Sequence, residues 1–221
     1  MTKFGPAVEV LEELIDLYSL IERYPPYEAT PEQNKLVIRN IEDFANKYIG
    51  KFCDGPVMRL YYAGKIPKKT WFDDLVRICN LYRKYRSGEL REEAMKAKDP
   101  IREYRWLLVR WIDDFKYALH ANPIGRLNFV LVFPFREDSP PITDESTLIK
   151  LINYLQGLPV GFNINPLLGI EDPWWQLSNS LGAVFGVISS LRWSPDMARR
   201  DLEDIKSDIR RNMEEGYWRY Y

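Results

Sequence analysis

Clear helix boundaries restrict the fold of this chain more than any other feature of its sequence. A residue that caps helix N-termini stands directly before a proline at Thr30-Pro31, Asp99-Pro100, Asp172-Pro173 and Ser194-Pro195. Proline suits the first position of a helix, because its missing N–H needs no partner there and its φ is already helical. Gln33, three residues after Thr30, completes a capping box. The pattern predicts a chain built mainly from α-helices.

Glycines and further caps predict where individual helices begin and end. Gly50 is expected to end the helix that starts at Pro31, because glycine commonly follows the last turn of a helix. Thr70 is expected to cap the next long helix, and Asn122 to end the helix that starts at Pro100. We expect seven or eight helices in all.

One segment favours a strand instead. Residues Leu127 to Phe133 read LNFVLVF, an apolar run rich in β-branched and aromatic residues, and Pro134 confines such a strand to an edge or an end. Val160–Ile164 is its candidate partner. The predicted fold class is therefore mainly α, in one or two packed helical groups, with a minor one- or two-stranded β element near 127–133.

The same region marks a candidate domain boundary. The predicted strand and the proline-rich segment after it separate two groups of helices. This divides the chain into an N-terminal helical region, 1–120, and a C-terminal region, 121–221. A single domain is the alternative, since 221 residues suffice for either arrangement.

The composition indicates a habitat. His, Cys, Gln and Thr occur only one, two, three and five times, whereas Lys, Arg and Glu are plentiful. Thermolabile side chains are depleted and charged ones enriched in thermophilic proteins. We therefore expect a hyperthermophilic source, an archaeon or one of its viruses.

Cys53 and Cys79 are interpreted as two buried thiols, because free cysteine packs like a small apolar residue. A disulfide is the alternative, since proteins of hyperthermophiles contain disulfides even inside the cell.

The sequence favours neither secretion nor a membrane partner. The N-terminus becomes acidic within a few residues, and no run approaches the roughly 18 apolar residues of a membrane span. The expected location is the cytoplasm, or the virion if the protein is viral.

Charge is unevenly distributed along the chain. The net charge is −1 overall, but it is −4 over residues 1–56, +7 over 57–126 and −4 over 127–221. A generally basic nucleic-acid binder is excluded, whereas a local basic surface in the middle segment is not.

The basic segment supplies the candidate nucleic-acid-binding residues, which are Lys65, Lys68, Lys69, Arg83, Lys84, Arg86, Arg102, Trp106 and Arg110. Arg102, Trp106 and Arg110 recur every four residues, so they share one face of a helix, which Tyr117 joins. Arginines neutralise phosphates and an indole stacks on a base, as in proteins that hold single strands. The alternative is an ordinary solvated or packed helix face whose arginines pair with Asp99, Glu103 and Asp113.

Two further features indicate protein contacts. Ser178, Gly182, Gly186 and Ser190 recur every four residues in an apolar helix, which lets another helix approach closely. The alternatives are a central core helix or a membrane-associated segment flanked by tryptophans.

The second feature is the group of C-terminal aromatic residues, Tyr217, Trp218, Tyr220 and Tyr221. We expect them to dock, either on the core of their own chain or on a neighbouring molecule.

Enzymatic signatures are sparse. The sequence has no phosphate-binding glycine loop, no HExxH and no CxxC, and His120 is its single histidine. We assign no catalytic residue, cofactor or metal ligand. The alternative is a metal-dependent enzyme, in which the doublets Asp73-Asp74 and Asp113-Asp114 hold Mg²⁺ from two antiparallel helices.

These observations favour a non-catalytic subunit of a larger complex or particle. It would contact protein partners through the small-residue helix and the aromatic tail, and nucleic acid through the basic segment. Besides the metal-dependent enzyme, a homo-oligomeric interaction module without nucleic acid is the remaining alternative.

Overall fold

The mainly α prediction is confirmed by a computed structural model, which describes residues 4–137, 144–157 and 174–214, apart from the side chains of 174–176 and 213. Within these ranges the helices are α1 (Pro6–Arg23), α2 (Pro31–Phe44, continued by a π-helical turn, Ala45–Ile49, and by Gly50–Cys53), α3 (Pro56–Tyr62), α4 (Asp73–Ser87), α5 (Glu89–Met95), α6 (Pro100–Ala121), α7 (Pro123–Val132), α8 (Glu145–Leu155), α9 (Trp174–Leu191) and α10 (Pro195–Glu214). The described residues thus form ten helices rather than seven or eight.

Most predicted caps are formed. The Thr30 hydroxyl accepts from the Gln33 amide at 3.2 Å while the Gln33 side chain accepts from the Thr30 amide at 2.9 Å, which completes the capping box. Asp99 accepts from the Arg102 amide and Ser194 from the Met197 amide. The pair Asp172-Pro173 lies outside the described residues.

The predicted strand at 127–133 is wrong, because its residues belong to α7. Asn122 ends α6 but also starts α7, since its side-chain oxygen accepts from the amides of Ile124 and Gly125. Every residue from 121 to 130 is buried, so the helix has no polar face and its sequence shows no helical period. The proposed partner, Val160–Ile164, lies outside the described residues, whose β structure is limited to an isolated bridge between Phe4 and Arg136.

Two predicted boundaries are also corrected. Thr70 does not cap α4, which begins at Asp73 after Phe72. Gly50 does not end α2; a Cβ atom there would lie 2.5 Å from the Tyr82 hydroxyl, so glycine serves the close approach of α2 to α4.

A disulfide joins the same two helices. Cys53, the last residue of α2, is bonded to Cys79 of α4, and their Cα atoms lie 5.6 Å apart. The interpretation as two free thiols is therefore wrong. Sequence alone could not decide this, because pairing depends on how α2 and α4 pack and not on the spacing of the cysteines.

Helix α6 lies at the centre of the packing. It contacts α2, α4, α5, α7 and α9. Trp111 and Phe115 are fully buried on it, and the Trp111 indole N–H donates to the Ile78 carbonyl of α4 at 3.1 Å. The buried apolar residues form a cluster with members on both sides of residue 121, and the division into two domains there stays a prediction. The face of α6 turned away from this core holds the candidate site.

Candidate nucleic-acid interface

The outer face of α6 carries the residues that the sequence selected. Four of these side chains are exposed on α6, namely Arg102, Trp106, Arg110 and Tyr117. Buried residues such as Tyr104, Leu108 and Phe115 lie on the opposite face of the helix. Trp106 is 50% exposed and Tyr117 is 54% exposed, which is unusual for such large apolar rings. The sequence therefore placed these four side chains correctly on one solvent-facing line.

Arginines and aromatic rings alternate along this line. The Arg110 guanidinium lies 4.5 Å from the centre of the Trp106 ring, a cation–π contact. The Arg102 guanidinium lies 5.7 Å from the ring of Tyr27, which is 84% exposed in the loop between α1 and α2. We call Tyr27, Arg102, Trp106, Arg110 and Tyr117 the α6 stripe. Tyr27 was missed from the sequence, because only the tertiary structure brings its loop to α6.

One of the two arginines of the α6 stripe has the ion-pair partner that the ordinary helix face predicts, and the other has none. Arg102 pairs with Asp99 at 3.5 Å, but Arg110 forms no ion pair with a described residue. Glu103 and Asp113 pair with neither arginine in the described structure. The guanidinium of Arg110 is thus held on an aromatic ring with its charge available to an anion.

A single carboxylate interrupts the stripe. Asp113 is exposed and accepts a hydrogen bond of 2.6 Å from the Tyr18 hydroxyl of α1. Burial raises the pKa of Tyr18 well above its usual range, and the nearby Asp113 raises it further, so the phenol stays a donor. Lys116 lies beside it, with its ammonium 4.1 Å from the Tyr18 ring centre.

The loop after α3 forms a second basic cluster. Lys69 lies over the Tyr61 ring at 5.4 Å and Arg83 of α4 over the Tyr62 ring at 5.2 Å, so residues distant in sequence meet at a tyrosine pair. Lys65 forms an ion pair with Glu145, in which the ammonium nitrogen lies 2.9 Å from a carboxylate oxygen.

The remaining predicted cations are dispersed. Lys68 and Lys84 are exposed, and Arg86 donates to the Asn46 side chain of α2. Among the described residues, no contact connects them or the tyrosine pair to the α6 stripe. The nine predicted residues therefore do not form one continuous site.

One aspartate of each doublet pairs with the same arginine, which takes the place that the enzymatic alternative gives to a metal ion. Helices α4 and α6 pack together as the enzymatic alternative required, and Arg77 lies between Asp74 at 3.2 Å and Asp114 at 3.4 Å. Asp113 instead faces Tyr18, and Asp73 is exposed at the start of α4. Within the described ranges, no group of three His, Cys, Asp or Glu side chains has the arrangement of a metal site.

His120 lies near the C-terminal end of α6 among cations and an aromatic ring. Its imidazole stacks on Phe185 of α9, with ring centres 5.1 Å apart, and the Arg192 guanidinium lies 3.3 Å from both ring nitrogens. Burial, reinforced by Arg192 and Arg126, lowers the pKa of His120 below its ordinary value. Arg192 could not be predicted from the sequence, because only the packing of α9 against α6 brings it here.

Arg126 supports this end of α6 from within. It is buried, donates to the carbonyls of Leu119 and His120 at 3.2 and 2.6 Å, and lies 5.0 Å from the Phe185 ring. Burial lowers the pKa of Arg126 to about 10, so it remains a cation at neutral pH. Its charge stabilises the negative end of the helix dipole.

The small-residue stripe of α9 is open only at its two glycines, because Ser178 is buried and the Ser190 hydroxyl donates to Asp201 of α10. Leu181, Val184 and Ile188 are buried, but a Cβ atom added at Gly182 or Gly186 would meet nothing within 4 Å. The aromatic tail, with Tyr217, Trp218, Tyr220 and Tyr221, lies outside the described residues.

No helix in the described ranges is sufficiently long and apolar to cross a membrane. No protein-family model, curated protein or solved structure matches the chain.

Proposed function

We propose that this protein is a non-catalytic subunit of a larger complex or particle that binds nucleic-acid backbone through the α6 stripe. The observation that carries the proposal is the alternation of arginines with half-exposed aromatic rings along one helix face. Guanidinium groups bind phosphate oxygens bidentately, and exposed rings offer surfaces for bases. Three exposed rings on one surface are more informative than one, because clustered exposed apolar surface marks interaction sites.

The charge distribution supports the same proposal. Residues 57–126 carry a net charge of +7 in a protein that is otherwise acidic. Lys68, Lys69, Arg83, Lys84 and Arg110 are exposed and form no ion pair with a described residue. Unpaired surface cations favour a polyanionic partner, while the acidic flanks disfavour indiscriminate binding.

The protein-contact half of the proposal rests on α9. Its open positions at Gly182 and Gly186 lie on the outer side of a helix whose opposite side is buried, which leaves room for a second helix. A copy of the same chain or another subunit is the proposed occupant. A hyperthermophilic source and a place in the cytoplasm or a virion remain part of the proposal, and the Cys53–Cys79 disulfide is compatible with them.

The metal-dependent alternative is less well supported. Arg77 lies between Asp74 and Asp114, and its charge already balances these carboxylates. A cation entering there would have to displace it.

The decisive experiment compares binding by two charge-matched double variants. Arg102→Glu with Arg110→Glu reverses the stripe, and Lys51→Glu with Arg200→Glu reverses two exposed cations on other helices. Binding of a labelled, mixed-sequence single strand of about 16 nucleotides is followed by fluorescence anisotropy across a salt series. We expect the stripe variant to lose at least tenfold in affinity and the salt slope to fall by about 1.4, since each lost phosphate contact removes about 0.7.

The matched variant is expected to bind like the wild type. Equal losses in both variants would show that only net charge matters, and an unchanged stripe variant would refute the proposed interface.

Light scattering on the same samples tests whether the protein assembles. A species larger than 26.2 kDa, or a complex that forms with the oligonucleotide, supports assembly. A salt-insensitive monomer that ignores the oligonucleotide contradicts both parts.

A further inference from the structure

The α6 stripe does not stop at Tyr117. His120 follows Arg102 by five full helical turns, so both residues project in the same direction, about 27 Å apart along α6. Lys116, one turn before His120, lies on the adjoining edge of this face. The line that begins at Tyr27 therefore reaches the point where α9 ends.

At that point two cations without ion-pair partners flank the imidazole. Arg192, just past the end of α9, is exposed, and its guanidinium lies 3.3 Å from the His120 ring nitrogens. Lys116 rests over the Tyr18 ring. Neither cation forms an ion pair within the described ranges, whereas Arg126 is buried and donates to two helix carbonyls. Two cations and the imidazole are thus available to one anion.

Electrostatic repulsion within this group favours an anion as its partner. Burial lowers the pKa of both His120 and Lys116, and the charge of Arg192 lowers each of them further, so Arg192 lies close to both groups. Asp113 and Glu22 act on Lys116 in the opposite sense without pairing with it. A phosphate between Lys116 and Arg192 would relieve the repulsion.

An exposed aromatic residue also adjoins Arg192 in the sequence. Trp193 directly follows Arg192 and is 82% exposed, nearly as much as Tyr27 at the far end of the line. A guanidinium thus contacts an exposed ring at Tyr27 and at Trp106, and Arg192 has an exposed ring as its neighbour in the sequence.

We infer that Lys116, His120 and Arg192 form a phosphate site that completes the α6 stripe, with Trp193 stacking on a base, and that the ligand is a single-stranded nucleic acid. This inference rests on the proposed function and extends it. Bases in a duplex already stack on one another and leave no face for Trp106, Tyr117 or Trp193. A path of about 27 Å accommodates at most about eight nucleotides, since 3.4 Å is the spacing of fully stacked bases and a strand that stacks on protein rings is more extended.

A length series and one new double variant test the inference. Labelled oligothymidylates of about 4 to 16 nucleotides are titrated against the wild type, Arg192→Glu/Trp193→Ala and the control Arg200→Glu/Met197→Ala, whose residues are exposed on α10. Wild-type affinity should rise with length to about eight nucleotides and then level off. The Arg192/Trp193 variant should lose at least tenfold for the longer strands, while the control stays within twofold.

The outcomes separate this inference from the proposed function. If Arg192→Glu/Trp193→Ala binds like the wild type while Arg102→Glu/Arg110→Glu does not, the extension to α9 is overturned and the α6 stripe stands. If the wild type binds no strand, both are overturned. Equal affinity for a duplex overturns the single-strand assignment, and equal competition by polyglutamate overturns the assignment to nucleic acid. Circular dichroism and melting of each variant show that it is folded.

Discussion

At the scale of single residues, the exposed aromatic rings carry most of the functional information. Trp106 and Tyr117 could be placed on one helix face from their spacing, because α6 is regular and its apolar side is obvious. Their arginine contacts could not be predicted in full. Arg110 meets Trp106 within one helix, but Arg102 meets Tyr27 across a loop. Only the first contact is local.

Asp113 distinguishes the nucleic-acid hypothesis from the enzymatic one. Asp113→Asn removes a negative charge from the α6 stripe and keeps an oxygen that can accept from Tyr18. We expect single-strand affinity to tighten about two- to fivefold at low salt, because a charge of the same sign as the phosphates is removed from beside their path. Anisotropy titration measures the change.

The matched control for Asp113 is Asp204→Asn, an exposed acid on α10, which should change affinity by less than twofold. Loss of binding or of a metal-dependent activity in Asp113→Asn would contradict the stripe and favour the carboxylate alternative.

At the scale of elements, helix starts marked by a cap and a proline were more predictable than a helix that is buried on all sides. The caps of α2, α6 and α10 are local interactions between neighbours, so the sequence determines them. Helix α7 was mistaken for a strand because complete burial removes the amphipathic period from which helices are recognised. Its real signal was Asn122-Pro123, the same cap-and-proline pair that marks other helices.

The cap of α7 should therefore be a strong determinant of stability. In Asn122→Ala, the amides of Ile124 and Gly125 lose their acceptor and the Trp71 carbonyl loses a donor at 2.6 Å. We expect the free energy of unfolding to fall by about 2–3 kcal/mol, because a cap and a buried hydrogen bond are lost together. Urea denaturation followed by circular dichroism measures it.

Thr30→Ala removes an exposed cap of the same kind and should lower the free energy of unfolding by only about 1 kcal/mol. Equal effects of the two substitutions would show that the buried contacts of Asn122 add nothing.

At the scale of the whole molecule, α6 is the element on which the others converge, and its outer face is the candidate site. A helix held by five neighbours is a rigid base for a row of side chains. The disulfide adds a covalent tie between α2 and α4, two of those neighbours. This arrangement suits a binding surface that has to keep its shape.

Breaking the disulfide should destabilise the fold without touching the interface. Cys53→Ala/Cys79→Ala opens a loop with a sequence separation of 26 residues, and the expected loss is about 3 kcal/mol of unfolding free energy. Thermal or guanidinium denaturation with and without reductant measures it, and single-strand binding should be retained.

Reductant should have no effect on the alanine variant, which is the internal control. A wild type whose stability is indifferent to reductant would show that the bridge contributes nothing. A loss of single-strand binding in the folded alanine variant would show that the α6 stripe depends on it.

The sequence by itself determined the helical class, the capped helix starts and the solvent-facing line of Arg102, Trp106, Arg110 and Tyr117, because each depends on residues within a few turns of one another. The tertiary structure alone decided that Cys53 bonds to Cys79, that Arg77 separates Asp74 from Asp114, and that Tyr27 and Arg192 stand near opposite ends of α6. These contacts join residues far apart in the chain. Their geometry follows from how whole helices pack, which local spacing does not encode.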